Sequence, residues 1–213
     1  MSLTTYIHKI IVCGDGAVGK TSIIKKYSEN TFNENYLATV GCNFATKKIH
    51  INGLEITCQI WDMGGQPQFK VVRQNLYRGA RGVVYVFDIS RRETFENIQK
   101  WREEIGSVLT DPPCILIGNK VDLPRKVSEE EAKEYSLKNN TQYFEASVAE
   151  NLNIQESMDR INQIILEKQE NERKTISPIK ISAHYQDLIK PSIQSPATIP
   201  ERPLNQTKFP LTI

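Results

Sequence analysis

The stretch GDGAVGKT, from Gly14 to Thr21, restricts the fold of this chain more than any other feature. It follows the apolar run YIHKIIVC (6–13), a predicted buried strand, and it opens KTSIIKKYSEN, a predicted helix. The loop therefore matches G-x-x-x-x-G-K-[ST] in the strand–loop–helix setting that this phosphate-binding motif requires. We predict that the N–H groups of residues 16–21 form an anion-binding nest, that Lys20 contacts the terminal phosphates and that Thr21 binds magnesium. A glycine turn with a chance lysine is the disfavoured alternative.

Predicted strands and helices alternate along most of the chain. GVVYVFDIS (82–90) and CILIGN (114–119) are apolar runs typical of strands buried on both faces. Asn52-Gly53 predicts a hairpin between CNFATKKIHI and LEITCQIWD. Between the two apolar runs, TFENIQKWREEIGSVL places apolar residues at helical spacing as far as Leu109. This alternation predicts an α/β fold with a sheet covered by helices.

Two helix starts carry capping signatures. Ser128 is followed three residues later by Glu131, and Asn153 is followed by Glu156. The second predicted helix carries one apolar stripe, which consists of Ile154, Met158, Ile161 and Ile165. We expect this stripe to pack on the sheet.

The composition excludes several classes of protein. The 213 residues contain 39% hydrophobic and 24% charged residues with a net charge of +2, which fits a globular protein and leaves no basic footprint for nucleic acid. The cysteines form no CxxC pair and are interpreted as core thiols in a reducing compartment; they are Cys13, Cys42, Cys58 and Cys114. Three distant histidines suggest no metal site, and we find no leader or apolar run of transmembrane length.

The composition changes near Thr175. Six of the ten prolines lie at positions 178, 191, 196, 200, 203 and 210. Because proline interrupts helices and favours extended chain, we predict a domain over residues 1–174 and a proline-rich, disordered tail over 175–213. A PxxP at Pro200–Pro203 and the ending Leu211-Thr212-Ile213 are candidate recognition motifs, although a passive linker is the favoured interpretation.

The tail also bears on membrane attachment. The last cysteine is Cys114, Ser2 excludes N-myristoylation, and the tail has no concentrated basic patch. Stable anchoring usually needs a lipid together with a second signal. We therefore expect a cytoplasmic protein whose recruitment to any membrane depends on partners.

A second motif, NKVD from Asn119 to Asp122, follows the strand CILIG. The carboxylate of Asp122 can accept hydrogen bonds from the ring N–H and the exocyclic amine of guanine, whereas adenine offers a lone pair at the ring position. Such a site can reject the wrong base by roughly 10⁴-fold, because its polar groups would be left unpaired. The tetrapeptide alone is an ordinary polar turn, but about 100 residues after a phosphate-binding loop it predicts guanine selectivity.

With these motifs the chain resembles the Ras superfamily of small GTPases, and within it the Rab family, over residues 6 to about 170. YLATVGCNF is similar to the Rab switch I segment, YRGARGVVYVFDIS to the stretch after switch II, and YFEASVAENLNIQES to the last base-binding loop and helix. WDMGGQP (61–67) departs from the usual WDTAGQE, and its paired glycines resemble a Rab branch associated with cilia and also the Arf family. The missing C-terminal cysteines make the chain an atypical, Rab-like member.

The resemblance implies a G domain with a mostly parallel six-stranded sheet and helices on both faces. It implies Mg²⁺ as the cofactor and GTP or GDP as the bound nucleotide. It assigns Thr21, Thr39 and Asp62 to the metal and Gln66 to catalysis. The implied nucleotide-binding residues are Gly16, Ala17, Val18, Gly19, Lys20, Thr21, Ser22, Phe32, Tyr36, Thr39, Gly65, Asn119, Lys120, Asp122, Ser147, Val148 and Ala149.

The implied roles of the switch residues are specific. Asp62 would hold magnesium through a water, the Gly65 N–H would meet the γ-phosphate, and Gln66 would orient the attacking water. Thr39 would close over magnesium when GTP is bound. In the same assignment Tyr36 would cover the phosphates, and Phe32 would lie against the guanine.

Two further segments depart from the family pattern. Ser147, Val148 and Ala149 stand where the family has Ser-Ala-Lys, so the lysine that covers the base is missing and we expect weaker nucleotide binding. Packing at a strand end is the alternative interpretation of these three residues. Pro67 follows Gln66 directly and disfavours the helical conformation of the Gln66 backbone. This restriction could either help or harm catalysis.

The resemblance further implies a monomeric molecular switch in vesicle or membrane trafficking, which partners would recruit to an endomembrane or a cilium. Without an evident arginine finger of its own, the chain should hydrolyse GTP at on the order of 10⁻⁴ to 10⁻³ s⁻¹, and Gly16 leaves room for the finger of an activating protein. Exchange factors, activators and effectors would bind switch I (32–41) and switch II (62–75). One alternative is a GTP-binding scaffold with vestigial hydrolysis. A second is a P-loop phosphotransferase, and Asp122 and Thr39 argue against this second alternative.

Overall fold

The computed structural model describes residues 6–29, 42–65 and 70–176. The strands of this part are β1 Tyr6–Cys13, β2 Cys42–Ile51, β3 Leu54–Met63, β4 Gly82–Asp88, β5 Cys114–Asn119 and β6 Gln142–Ala146. The helices are α1 Lys20–Glu29, α2 Lys70–Tyr77, α3 Arg92–Glu96, α4 Ile98–Gly106, α5 Glu129–Lys138 and α6 Ile154–Ile176. Among the described residues, none of the helices combines the length and the apolar character that crossing a membrane requires.

The strands form one six-stranded sheet in the order β2-β3-β1-β4-β5-β6. Only β2 runs antiparallel to its neighbour, and the other four pairings are parallel. Asn52 and Gly53 connect β2 to β3 with φ angles of 51° and 77°, the positive values that a two-residue hairpin turn requires. These observations confirm the predicted α/β class and the mostly parallel six-stranded sheet.

Helices cover both faces of the sheet because the strands carry apolar residues on both sides. Ile10 and Val12 of β1 belong to a core that also contains side chains of α1 and α6. Ile11 and Cys13 belong to a second core, shared with α2, α3, α4 and α5. Every residue of β4 is buried, as predicted for a strand covered on both faces. The apolar stripe predicted on α6 is buried in the first core.

The predicted helix from Thr94 to Leu109 is divided into two. Asn97 separates α3 from α4, although its backbone stays in the right-handed helical region. The second part ends at Gly106, so Leu109 lies beyond the helix and packs against the core from the following loop. The prediction of a single helix was therefore wrong in its division and its end.

Both predicted helix starts are observed, with different capping contacts. The Ser128 hydroxyl accepts a hydrogen bond from the Glu131 N–H at 3.1 Å, as a cap should, while the Glu131 carboxylate binds Arg92. Asn153 precedes α6 with a φ of 55°, and its amide group donates to the main-chain oxygen of Glu145 at 2.8 Å. The last helix ends at Ile176, and the domain boundary at residue 174 stays a prediction.

The carboxyl ends of the central strands lie along one edge of the sheet. The register pairs Val12 with Asp62 and Asp88 with Asn119, and Asn119 also pairs with Ala146. The loops that follow these strands therefore meet at one edge. Open α/β sheets bind ligands at this edge.

Candidate functional site

The loop between β1 and α1 has a backbone that only certain residues can adopt. Gly14 and Gly19 have φ angles of 141° and 102°. A Cβ atom added at Gly14 would lie 2.0 Å from the Val86 oxygen, and one at Gly19 would lie 2.2 Å from the Asn119 amide nitrogen. Both positions therefore require glycine. An added Cβ at Gly16 meets no described atom within 4 Å.

Five successive main-chain oxygens of this loop accept hydrogen bonds from side chains. The pairs are Lys20 Nζ with Gly14 O at 2.8 Å and with Asp15 O at 2.7 Å, Arg91 Nη2 with Gly16 O at 2.8 Å, Lys120 Nζ with Ala17 O at 2.8 Å, and Asn119 Nδ2 with Val18 O at 2.8 Å. In a trans peptide the N–H points away from the C=O. The N–H groups that follow these oxygens therefore point away from the side chains that hold the loop, as the predicted anion-binding nest needs.

The lysine of the loop is buried beneath it. Burial lowers the pKa of Lys20, and the negative charge of Asp62 opposes this effect. Val18 is buried in the core, whereas Ser22 lies half-buried in the first turn of α1. The helix N-terminus and the lysine thus supply positive charge beside the nest.

Thr21 and Asp62 lie side by side, although the two residues come from different elements. The Thr21 hydroxyl donates a hydrogen bond to Asp62 Oδ2, and Asp62 is buried at the end of β3. A hydroxyl oxygen beside a carboxylate is a set of hard donors that suits Mg²⁺. The two residues therefore fit the metal assignment, while Thr39, the third predicted ligand, lies outside the described residues.

Gly65 approaches the backbone of the phosphate-binding loop closely. An added Cβ would lie 2.5 Å from the Gly16 nitrogen and 2.7 Å from the Asp15 carbonyl carbon. No side chain larger than hydrogen fits there without a shift of the backbone. Phe32, Tyr36, Gln66 and Pro67 lie outside the described residues, so their predicted roles stay predictions.

The NKVD segment is attached to the same loop. Asn119 is 2% exposed, and its side-chain oxygen is buried without a hydrogen-bond partner in the part of the chain that the structure describes. A buried acceptor in this condition is costly unless a ligand or water satisfies it. The exposed Asp122 accepts a hydrogen bond from the Ser147 hydroxyl at 2.5 Å, which restricts the orientation of its carboxylate.

The turn of residues 147–149 places its three side chains differently. Ser147 is buried, and its hydroxyl also accepts a hydrogen bond from the Glu150 N–H at 3.1 Å. Val148 points into the core beside α6, so any contact of this residue with a ligand would come from its backbone. Ala149 is exposed. Strand-end packing therefore accounts for the side chain of Val148.

Asp88 and Arg91 belong to the site, although the sequence analysis did not select them. Asp88 ends β4 and is 1% exposed. Its carboxylate accepts hydrogen bonds from Ser90 and forms an ion pair with Lys120 at 2.7 Å. Burial alone would raise the pKa of Asp88, but the hydrogen bonds from Lys120 and Ser90 outweigh it and hold the pKa below its ordinary value. The available signal was a carboxylate at the end of a buried run, at the edge where the other motifs end.

The sequence of this chain is similar to those of known proteins. The sequence profile of the Ras family matches residues 9–167. The Ras-related protein Rab-7L1 of Mus musculus is 37% identical over 202 residues, which cover 90% of this chain and 97% of that protein. The Ras-related protein Rab-1 of Theileria parva is 37% identical over 167 residues, or 76% of each chain. The Ras-related protein Rab-13 of Bos taurus is 35% identical over 166 residues, which cover 76% of this chain and 82% of that protein.

Proposed function

Since this chain belongs to the Ras family of small GTPases and is Rab-like, we propose that it binds GTP and GDP with Mg²⁺ and acts as a switch in membrane trafficking. Members of the family hydrolyse GTP, and we propose the same reaction here, with a slow intrinsic rate and dependence on an activating protein. The observation that carries the proposal is the attachment of the NKVD segment to the phosphate-binding loop through Asn119 and Lys120.

That attachment supports guanine binding because it fixes the position of the base-selecting loop relative to the phosphates. Asp122 would accept hydrogen bonds from the guanine ring N–H and exocyclic amine, and Ser147 would hold its carboxylate for that contact. A preoriented acceptor of this kind favours guanine over adenine, because the polar groups of the site stay unpaired when adenine is bound. We assign Asn119, Lys120, Asp122 and Ser147 to base recognition on this argument.

Hydrolysis would depend on positioning and charge neutralisation, because phosphoryl transfer to water needs little covalent chemistry from the protein. Thr21 and Asp62 would hold Mg²⁺ and Lys20 would contact the terminal phosphates, while bound Mg²⁺ would neutralise charge on the phosphate oxygens. Gly65 would donate its N–H to the γ-phosphate, and Gln66 would orient the attacking water. Loss of the γ-phosphate would then release the segments that contain Thr39 and Gly65.

An exposed apolar surface supports the binding of regulatory proteins beside the proposed switches. Val71 is 73% exposed on α2, and Val72 and Phe44 are also exposed. The ring of Phe44 packs against that of Trp61 with centroids 5.2 Å apart. Val71 and Val72 are adjacent in α2, and Phe44 contacts Trp61, so each pair places neighbouring apolar side chains at or near the surface, as protein interfaces commonly do. We propose that activators, exchange factors and effectors bind here and that partners recruit a monomeric protein to an endomembrane.

A GTP-binding scaffold with vestigial hydrolysis is the second candidate. Ala149 is exposed where the family carries lysine, and Pro67 follows the catalytic candidate Gln66. Single-turnover hydrolysis of bound GTP separates the two functions. A switch releases phosphate slowly from the bound GTP and faster with an activating protein, whereas a scaffold retains intact GTP under both conditions.

A further inference from the structure

We propose that Arg91 is a positioning residue that holds the phosphate-binding loop in its binding conformation, and that Asp88 holds Arg91 in place. The inference deepens the proposed function and rests on it, because the loop is the proposed phosphate site. Neither residue belongs to the GDGAVGKT or NKVD motif.

Arg91 connects the end of β4 to the loop. Its Nη2 donates to Gly16 O at 2.8 Å, and its Nε lies 3.1 Å from Asp88 Oδ2. Its backbone N–H also donates to the Asp88 main-chain oxygen at 3.0 Å. The side chain is 35% exposed, but the carboxylate that holds it is buried. A guanidinium fixed at both ends has little freedom to leave the Gly16 oxygen.

Asp88 serves two cations at once. The same Oδ2 atom lies 2.7 Å from Lys120 Nζ, and Lys120 donates to Ala17 O at 2.8 Å. One buried carboxylate therefore positions the donors for two successive main-chain oxygens of the loop. Ser90 donates to the other carboxylate oxygen from both its N–H and its hydroxyl, which fixes the carboxylate plane.

The peptide groups that carry the Gly16 and Ala17 oxygens lie on either side of the Ala17 Cα, and the backbone of Ala17 has an unfavourable conformation. Ala17 has a φ of 61°, in the left-handed region that residues with a Cβ seldom occupy. The φ angle of Ala17 sets the orientation of the Gly16–Ala17 peptide plane, and its ψ angle sets that of the Ala17–Val18 peptide plane. Arg91 holds the first peptide and Lys120 the second, so together they fix both angles.

The geometry assigns Arg91 to phosphate binding rather than to the reaction itself. The guanidinium contacts the C=O of the Gly16–Ala17 peptide, and the N–H of a trans peptide points to the opposite side. The N–H is the group that would meet a phosphate. Arg91 therefore lies behind the loop, where it orients a donor and does not approach the transferred phosphoryl group.

The test compares two adjacent arginines in the full-length chain. Arg91→Ala removes the contacts with Gly16 and Asp88. Among the described residues, Arg92→Ala removes contacts with Glu96, Glu131 and Lys126, away from the loop. We expect Arg91→Ala to weaken the binding of both Mg²⁺-GDP and Mg²⁺-GTP by about tenfold, since a hydrogen bond to a charged group is lost. Arg92→Ala should bind both nucleotides like the wild type.

Further measurements separate positioning from a general loss of stability. Arg91→Lys should recover part of the affinity, because the ammonium retains one donor for Gly16 O, and Asp88→Asn should lose at least as much as Arg91→Ala. In Arg91→Ala the buried Asp88 carboxylate keeps its ion pair with Lys120 and its hydrogen bonds from Ser90, so the thermal midpoint of the nucleotide-free protein should stay close to that of Arg92→Ala. In Arg91→Ala the fold-loss in nucleotide affinity should exceed any fall in the rate constant for hydrolysis of bound GTP, whereas loss of a transition-state arginine would lower that rate constant by about 10³-fold.

Three results would overturn the assignment. Nucleotide affinity of Arg91→Ala within twofold of the wild type would show that the contact does not position the loop. Unchanged affinity with a loss of about 10³-fold in hydrolysis would make Arg91 an arginine finger instead. Wild-type protein that binds no guanine nucleotide would refute the proposed function, and the role of Arg91 with it.

Discussion

Asn119 donates its side-chain N–H to the main-chain oxygen of Val18 over 2.8 Å, across 101 positions of the sequence. The bond attaches the end of β5 to the loop that follows β1. Gly19 makes this approach possible, because a Cβ there would meet the same amide nitrogen at 2.2 Å. Two motifs that are far apart in the chain are thus joined directly at the edge of the sheet.

Gly65→Ala should impair the response to the γ-phosphate. The added methyl group would overlap the backbone of Gly16 and Asp15, so the segment must withdraw from the loop. We expect hydrolysis of bound GTP to slow by about 10²-fold through loss of one oriented N–H donor, with GDP affinity nearly unchanged.

Gly106→Ala is the matched control for that substitution. It adds the same methyl group at the end of α4, where no described atom lies within 4 Å, and should leave hydrolysis unchanged. Equal hydrolysis rates in the two variants would refute the role of Gly65.

Gln66→Leu should slow hydrolysis while nucleotide binding stays intact. The leucine cannot orient a water, and the side chain is not assigned to nucleotide affinity. We expect a loss of about 10²-fold or more in the rate that an activating protein produces, with an unchanged Kd for GTP. Single-turnover assays with the activator and nucleotide titrations measure the two quantities, and an undiminished stimulated rate would remove Gln66 from the mechanism.

The ion pair between Arg73 and Glu104 joins α2 to α4 in a buried setting. The side chains are 3% and 9% exposed, and the guanidinium makes two contacts with the carboxylate, at 2.8 and 2.9 Å. Arg73→Met should lower the free energy of unfolding by about 3–5 kcal/mol, because the Glu104 charge stays buried without its cation. Urea unfolding measures the change.

The double variant Arg73→Met/Glu104→Leu tests the cause of that loss. Removing both charges should restore most of the stability that the single variant loses. The exposed pair Lys138 and Glu134 on α5 supplies a control, and Lys138→Met should leave the free energy of unfolding unchanged within error. A double variant as unstable as Arg73→Met would contradict the electrostatic explanation.

His8 should make the folded domain less stable in mild acid. Burial lowers the pKa of His8 and the positive charge of Arg81 acts in the same direction, against the hydrogen bond that the imidazole donates to the Asn162 side-chain oxygen and an interaction with Gln169. A depressed pKa in the folded state stabilises the protein above the unfolded value of about 6.5. That stability is lost as the pH falls through the folded pKa.

His8→Gln should therefore flatten the decline of the free energy of unfolding between about pH 7.5 and pH 5, since glutamine does not titrate there. His50→Gln, at an exposed position of β2, is the control and should retain the wild-type decline. Chemical unfolding at several pH values measures the slope. Identical slopes in the wild type and in His8→Gln would show that another group is responsible.

The elements that depend on local sequence were predictable. The apolar run of β5 predicts a buried strand, and Asn52-Gly53 predicts a hairpin turn, each from local sequence alone. The glycine spacing of the phosphate-binding loop is likewise a local requirement of its backbone. The end of the helix at Gly106 was not predictable, because Leu109 continues the apolar spacing and still packs on the core from a loop.

The contacts that complete the site depend on tertiary structure. Arg91 lies 75 positions from Gly16, and no local pattern distinguishes it from Arg92 beside it. Arg91 precedes α3 with an extended backbone and meets the loop, whereas Arg92 is the first residue of α3 and meets Glu131. Val148 likewise stands in a base-binding sequence, yet the turn directs its side chain into the core.

The relative affinity for GTP and ATP, measured by titration of nucleotide-free protein with each Mg²⁺ complex, tests the central claim most directly. If Asp122 and Asn119 select guanine beside the phosphate-binding loop, GTP binds about 10⁴-fold more tightly than ATP. Asp122→Ala should then abolish most of that preference. Equal affinities for the two nucleotides in the wild-type protein would contradict the account.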